Sequence, residues 1–165
     1  ADDDEATEVV VATADGVVAV VDGREGALQW RRDLGTLAAV HAVGDGDGDG
    51  EPEVYAVAAD AVLRSYAGSD GTIEWTTTLT TEPVQMTPPP ALGDVDGDGE
   101  PELLAVANDG TVSLLDPTTG AVLDTYRRDV PIWTNPTVAD VTGDGVPETF
   151  VTYGDGRVVA FSVSG

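Results

Sequence analysis

Short runs of β-branched and apolar residues, broken by Gly, Asp and Pro, recur along the chain, and no segment carries helical periodicity. Runs of this kind bounded by turn residues predict strands. Four of them, Val9–Thr13, Val54–Ala58, Leu103–Ala107 and Thr149–Tyr153, are each followed by a turn and a second β-rich run. The second runs are Val17–Val21, Val62–Tyr66, Thr111–Leu115 and Arg157–Phe161. The turns between them carry Asp15-Gly16, Asp109-Gly110 and Asp155-Gly156, with Asp60-Ala61 in the second copy. Asp-Gly between apolar runs is a hairpin signal. Further turns at Asp22–Gly26, Ala67–Gly71 and Asp116–Gly120 lead to a third strand carrying Trp30, Trp75 or Tyr126. Tyr126-Arg-Arg-Asp echoes Trp30-Arg-Arg-Asp, so the third copy reads as holding two extra residues, a shift that preserves strand parity. A strand of small and β-branched residues precedes each complete loop, at Leu37–Val43, Pro90–Val95 and Asn135–Val141. Thr76–Thr81 and Pro88–Pro90 read as a connection, the prolines blocking edge pairing.

The period is the organising feature. Glu8, Glu53, Glu102 and Glu148 stand 45, 49 and 46 residues apart, and the same events follow each of them. Four short antiparallel strands at this period predict an all-β chain of β-propeller blades. The chain reads as one domain, 1–165, with repeats at about 1–35, 36–82, 83–130 and 131–165. Two repeats are complete and two partial, which suits a segment of a larger propeller, or half of one completed by a second copy through open blade edges.

Before each complete repeat's second strand lies an acidic loop. Gly93-Asp-Val-Asp-Gly-Asp-Gly-Glu-Pro-Glu102 places carboxylates at 94, 96 and 98, a bend at Gly99 and a last carboxylate at 102. Asp45, Asp47, Asp49, Gly50 and Glu53 repeat it, and Asp140, Thr142, Asp144, Gly145 and Glu148 repeat it with one hydroxyl. Asp2, Asp4 and Glu8 form a remnant with Glu5 in the glycine position. Alternating oxygens in a tight turn converge on a hard cation, for which calcium takes six to eight oxygen ligands. The expected ligands are Asp45, Asp47, Asp49, Glu51 and Glu53; Asp94, Asp96, Asp98, Glu100 and Glu102; and Asp140, Thr142, Asp144, Val146 and Glu148. The metal expected is Ca2+, with Mg2+ as a substitute. An EF-hand needs an acidic residue at loop position twelve. Ala56, Ala105 and Val151 stand there, so these are not EF-hands.

The acidic loops resemble those of FG-GAP/VCBS (integrin-α-type) calcium-binding propeller repeats. Asp109–Gly120 and the stretch from Asp15 to Trp30 resemble the repeats of quinoprotein-like (PQQ-like) propellers. The resemblance implies blades with calcium loops between first and second strands, and it implies no particular activity.

Charge narrows the partners. Thirty-one acidic residues against seven arginines and no lysine give a formal charge of −24. The three loops hold fewer than half of those acids. Self-repulsion of this size is tolerated in salt, and the balance resembles proteins of extreme halophiles. Nucleic acid and anionic membrane are excluded as partners by sign, and no apolar run reaches the length that inserts across a bilayer. There is no cysteine, hence no disulfide or thiolate site.

Other residues read as structural. Trp30 and Trp75 are expected to wedge between blades; Trp133 lies off the repeat. His41 aligns with Pro90 and Pro136, and a lone histidine makes a poor transition-metal site. Arg31–Arg32 and Arg127–Arg128 are expected to pair with carboxylates. The function expected is a calcium-stabilised extracellular or cell-surface scaffold, binding a protein or glycan partner, in a halophile. Its alternatives are a fragment of a quinoprotein-like dehydrogenase or polysaccharide lyase, or a subunit of a surface filament or layer. No base, nucleophile or convergent polar set supports catalysis in the sequence.

Overall fold

A computed structural model of the chain describes residues 7–162. Asp2, Asp4 and Glu5 of the N-terminal loop remnant lie outside the described residues. Among the described residues there are strands and turns but no helix. The first sheet holds β1 (Val9–Ala12), β2 (Val17–Val21) and β3 (Leu28–Asp33). The second holds β4 (Ala38–Gly44), β5 (Glu53–Ala58), β6 (Val62–Ala67) and β7 (Ile73–Thr78). The third holds β8 (Ala91–Gly93), β9 (Glu102–Val106), β10 (Thr111–Leu115) and β11 (Val122–Arg127). The fourth holds β12 (Thr137–Ala139), β13 (Glu148–Thr152) and β14 (Val158–Phe161). Each sheet runs antiparallel in chain order, so the described residues form a propeller-like fragment of four blades, two of four strands and two of three.

The core lies between blades. Val18, Val20 and Trp30 of the first blade pack on Val54, Ala56 and Tyr66 of the second. Tyr55, Val57 and Leu63 on the second blade's other face meet Leu103, Ala105 and Leu115 of the third. Leu104, Val106, Val112 and Leu114 then meet Val151 and Tyr153 of the fourth. Because successive side chains of a strand point to opposite faces, a middle blade serves two cores at once. That is why β5, β9 and β10 are buried at every position rather than alternating.

The tryptophans lock adjacent blades together. The Trp30 indole N–H donates to the Gly68 carbonyl at 2.7 Å, and that of Trp75 donates to the Pro117 carbonyl at 2.7 Å. Each ring lies flat against a glycine of the next blade's turn. A Cβ at Gly71 would stand 2.6 Å from Trp30, and one at Gly120 would stand 2.4 Å from Trp75. Both glycines also hold φ +69°, where an L side chain is strained.

Four details depart from the sequence reading. There is no two-residue insertion before Tyr126: Trp30 pairs with Val20, Trp75 with Ser65, and Asp124 holds the same place opposite Leu114. Tyr126 lies two residues along the same face, its ring edge-on to Phe161 at 5.0 Å. The inner strands β8 and β12 are shorter than the predicted Pro90–Val95 and Asn135–Val141, since proline cannot donate to the ladder and the following residues bend into the acidic loop. Thr76–Thr78 belong to β7, so the connection begins at Leu79. Arg127 and Arg128 pair with Asp109 at 3.7 Å and Asp155 at 3.1 Å, but Arg32 instead donates to the Asp70 main-chain carbonyl.

Trp30→Ala is expected to lower the unfolding free energy by about 3–5 kcal/mol, because it empties a buried interblade seat. Trp133→Ala, whose ring is exposed, is expected to cost no more than about 1 kcal/mol. Urea unfolding in concentrated salt, followed by far-UV dichroism, reads both.

Candidate metal centres

Each acidic loop joins an inner strand to the second strand of its blade: 45–52 links β4 to β5, and 94–101 links β8 to β9. The loops fold on their own carboxylates. Asp45 accepts the N–H groups of Gly48 at 2.7 Å and Gly50 at 3.0 Å; Asp94 accepts those of Gly97 and Gly99 at the same two distances. Gly50 and Gly99 both sit at φ +94°, a conformation glycine reaches without strain. The third loop repeats the pattern, with Asp140 accepting from Gly143 at 2.6 Å and Gly145 at 2.9 Å.

Two loops bring three carboxylates to one point. Oxygens of Asp45, Asp47 and Glu53 lie within 4.8 Å of one another, as do those of Asp94, Asp96 and Glu102. In both, the two aspartates stand more open and the glutamate, first residue of its strand, is buried. In the third loop Thr142 donates to Glu148 at 3.3 Å, and Asp140, Thr142 and Asp144 are all exposed. Asp49 and Asp98 each accept the N–H two residues on, from Glu51 and Glu100, both at 2.8 Å; Asp144 does the same for Val146 at 3.0 Å. Their side chains therefore close the turn. Glu51, Glu100 and Val146, also among the expected ligands, are exposed on the loop surface.

The glutamates are anchored from behind. Glu53 Oε2 accepts from the Gly46 N–H at 2.8 Å and from the Tyr55 hydroxyl at 3.1 Å. Glu102 Oε2 accepts from the Val95 N–H at 2.9 Å. Sequence reasoning missed the Tyr55 contact. Its signal is a compensation between repeats: Gly46 and Tyr55 in one blade stand where Val95 and Leu104 stand in the next. A Cβ at Gly46 would fall 2.2 Å from the Tyr55 hydroxyl. Burial raises the pKa of both glutamates above the ordinary value, against the hydrogen bonds they accept. Neighbouring loop aspartates raise Glu102 further. Burial beside Glu53 also raises the Tyr55 phenol.

Three carboxylates at this separation repel by roughly 3 kcal/mol per pair at an effective dielectric of about 20, less where solvent screens them. The donors are all oxygen, which suits a hard cation and not a soft one. The two loops are neighbours: a cleft of about 420 Å³ between them is lined by Gly46–Gly48, Gly99–Glu102 and Asp116–Thr118. A second cleft, of about 300 Å³, runs between the inner strands, with His41 and Asn135 on its wall. His41 stands at the bulge between Val40 and Ala42 of β4 and is exposed.

Similarity to known proteins agrees with this architecture. The family model described as outer membrane protein assembly factor BamB, of the PQQ-like type, matches residues 5–165. The chain belongs to that family. Among solved structures it is similar to BamB from Moraxella catarrhalis, at 21% identity and a TM-score of 0.68, over 97% of this chain and 47% of that one. It is similar to the computationally designed Ika4 protein at 20% identity and a TM-score of 0.68, covering 95% of this chain and 86% of that one. It is also similar to BBS1N, solved in complex with ARL6DN, at 15% identity and a TM-score of 0.69, over 93% of this chain and 45% of that one. At these identities the likeness shows the fold. This BamB-family chain thus spans about half the length of the Moraxella structure. No curated protein matches it.

With cations removed, the buried glutamates set the acid response. A carboxyl whose folded pKa is raised contributes stability that is complete below its ordinary value of 4.5 and is lost as pH rises through the folded value. Asp60 and Asp109 act oppositely. Burial opposes their ionisation but is outweighed by hydrogen bonds, so their contribution disappears only below the ordinary 3.8. In EDTA the melting temperature is therefore expected to rise from pH 7 to pH 5, and the paired change Glu53→Gln, Glu102→Gln to flatten that rise. A lower melting temperature at pH 5 contradicts this account.

Proposed function

We propose that the chain is a non-catalytic, calcium-stabilised propeller scaffold that presents its faces to a protein or glycan partner outside the cytoplasm, in a salt-rich medium. The observation that carries the reading is the gathering of Asp45, Asp47 and Glu53, and of Asp94, Asp96 and Glu102, each with a buried glutamate at a strand's first residue. In this reading the FG-GAP-like loops hold Ca2+, or Mg2+ more weakly, and the bound ion cancels the repulsion built into each turn. The third loop, where Thr142 stands in place of the second aspartate, is the weakest of the three. Supporting the medium are the charge of −24 and the absence of lysine. The name of the matched family, an outer membrane assembly factor, supports a place outside the cytoplasm. Partner binding is supported by analogy with the BBS1N structure, itself solved as a complex.

An ion that binds only the folded state stabilises it by about 2.7 kcal/mol at a hundred times its dissociation constant. For a domain of this size that is roughly 5–10 °C per site. Calcium is expected to raise the melting temperature by that amount and EDTA to reverse it, with Asp45→Ala and Asp94→Ala each removing one site from a calorimetric titration. A melt that chelation leaves unchanged in magnesium-free buffer overturns the reading.

A further inference from the structure

The outer strands β3, β7 and β11 of the first three blades each pair with one neighbour, so each leaves an edge free. A free edge presents N–H and C=O groups that another chain can continue, and natural sheets block it with charge or proline. β3 carries Arg31, Arg32 and Asp33, and β11 carries Asp124 and Arg127. β7 carries Glu74 alone, and the Ser65 hydroxyl donates to that carboxylate at 2.7 Å. Register sharpens the contrast. Arg31, Thr76 and Thr125 are counterparts, opposite Ala19, Arg64 and Ser113. In β3 the Arg31 carbonyl accepts from the Arg32 guanidinium at 2.9 Å; in β11 the Thr125 N–H donates to the Asp124 carboxylate at 2.7 Å. Each of these strands covers part of its own edge. Among the described residues, the main chain of β7 bonds only to β6, and Thr76 and Thr78 are exposed. The second blade has a covered junction on either side, so this edge is open within the body of the fold.

We propose that β7 is a strand-addition site: an extended segment of a partner protein, β-branched in its middle and basic at its ends, pairs along Ile73–Thr78 as a fifth strand of the second blade. Strand addition takes its affinity from main-chain hydrogen bonds and its selectivity from alternate side chains. The six residues of β7 offer about 20 Å of edge. That edge is held ready, which lowers the cost of binding. The Trp75 indole donates to the Pro117 carbonyl at 2.7 Å and the Thr77 hydroxyl to the Gly120 carbonyl at 2.5 Å, fixing β7 against the third blade. Charge selects the occupant. Residues 70–82 hold three acids, Asp70, Glu74 and Glu82, and no base, on a chain of −24. A second copy would bring the same acids and the same net charge to the contact, whereas a basic segment is attracted by both. The proposal rests on the scaffold having a protein partner and not on a bound cation, since no loop carboxylate takes part.

Calorimetric titration of the 165-residue chain, in salt with millimolar calcium, uses a blocked peptide of alternating valine and threonine between terminal lysines, and saturable one-to-one binding is expected. Exchanging both lysines for glutamate is expected to weaken binding at least tenfold, and N-methylation of the peptide amides to abolish it. Thr76→Pro removes an N–H from the edge strand without adding charge, a change that edge strands tolerate. It is expected to weaken binding at least tenfold and to leave the far-UV spectrum unchanged. Should Thr76→Pro fail to fold, the N-methylated peptide still decides. Absence of binding, binding that survives N-methylation or Thr76→Pro, or equal binding of the glutamate-ended peptide overturns the proposal. A concentration-dependent pair of chains that Thr76→Pro dissolves assigns the edge to a second copy and overturns it too. Calcium-dependent melting survives any of these outcomes, so the two readings fail separately.

Discussion

Face-to-face packing of successive sheets is the constraint on which the structure depends. A four-stranded blade has two apolar faces and cannot bury either one alone. Tyr55 and Tyr66 lie in the same blade, yet they belong to different cores, one shared with the third blade and one with the first. Removing apolar surface from water contributes roughly 25 cal/mol per Å², and here nearly all of it is removed between blades. The tryptophan-to-glycine contacts then set how closely the outer strands approach. Where Asp124 replaces the indole, a small apolar gap of about 60 Å³ is left between Leu114, Tyr126 and Phe161. Tyr126 fills its neighbourhood from two residues along, a partial substitute without the carbonyl hydrogen bond that Trp30 and Trp75 make.

Against this packing stands electrostatic strain. The loops concentrate carboxylates where backbone N–H groups already satisfy some of their oxygens, as Gly48 and Gly50 do for Asp45. Those hydrogen bonds hold the loop in shape without relieving the repulsion among the remaining oxygens. Burial of Glu53 and Glu102 adds to the imbalance, for each carries its charge at the first residue of a buried strand. A cation held among these oxygens would relieve both terms together. In the absence of one, protonation of the glutamates does so in part, and this gives the pH response its sign.

The strand order was legible because the signals are local. Turn residues at a fixed period mark each hairpin, and Asp-Gly pairs sit where the chain reverses. Acidic alternation before Glu53 and Glu102 likewise placed the carboxylates that converge. The interblade seats of Trp30 and Trp75 were also expected from their place in the repeat, while finer details decided between elements were not. The echo of Trp30-Arg-Arg-Asp in Tyr126-Arg-Arg-Asp suggested an insertion, but pairing register across β10 put Asp124 in the indole's place. Asp49 and Asp98 accept the N–H two residues on, as Asp47 and Asp96 do, so that hydrogen bond does not separate the aspartates that converge from those that stand outside the two three-carboxylate groups. The Gly46–Tyr55 exchange for Val95–Leu104 is visible only when repeats are aligned through space.

The acidic loop of the second blade and the tryptophan locks are physically one system. Gly68, whose carbonyl receives the Trp30 indole, donates its own N–H to Pro52 at the end of the loop. On the other face, Glu53 accepts from Tyr55, whose ring lies 5.9 Å from that of Trp75, and Trp75 donates to Pro117 of the third blade. The loop is thus tied through three residues or fewer to both neighbouring blades. Gly68 and Tyr55, which meet the Trp30 and Trp75 indoles, each hydrogen-bond to a residue at the end of the loop. Residues at the end of the loop therefore share partners with both interblade indole contacts, which ties the loop's position to the packing of its two neighbours.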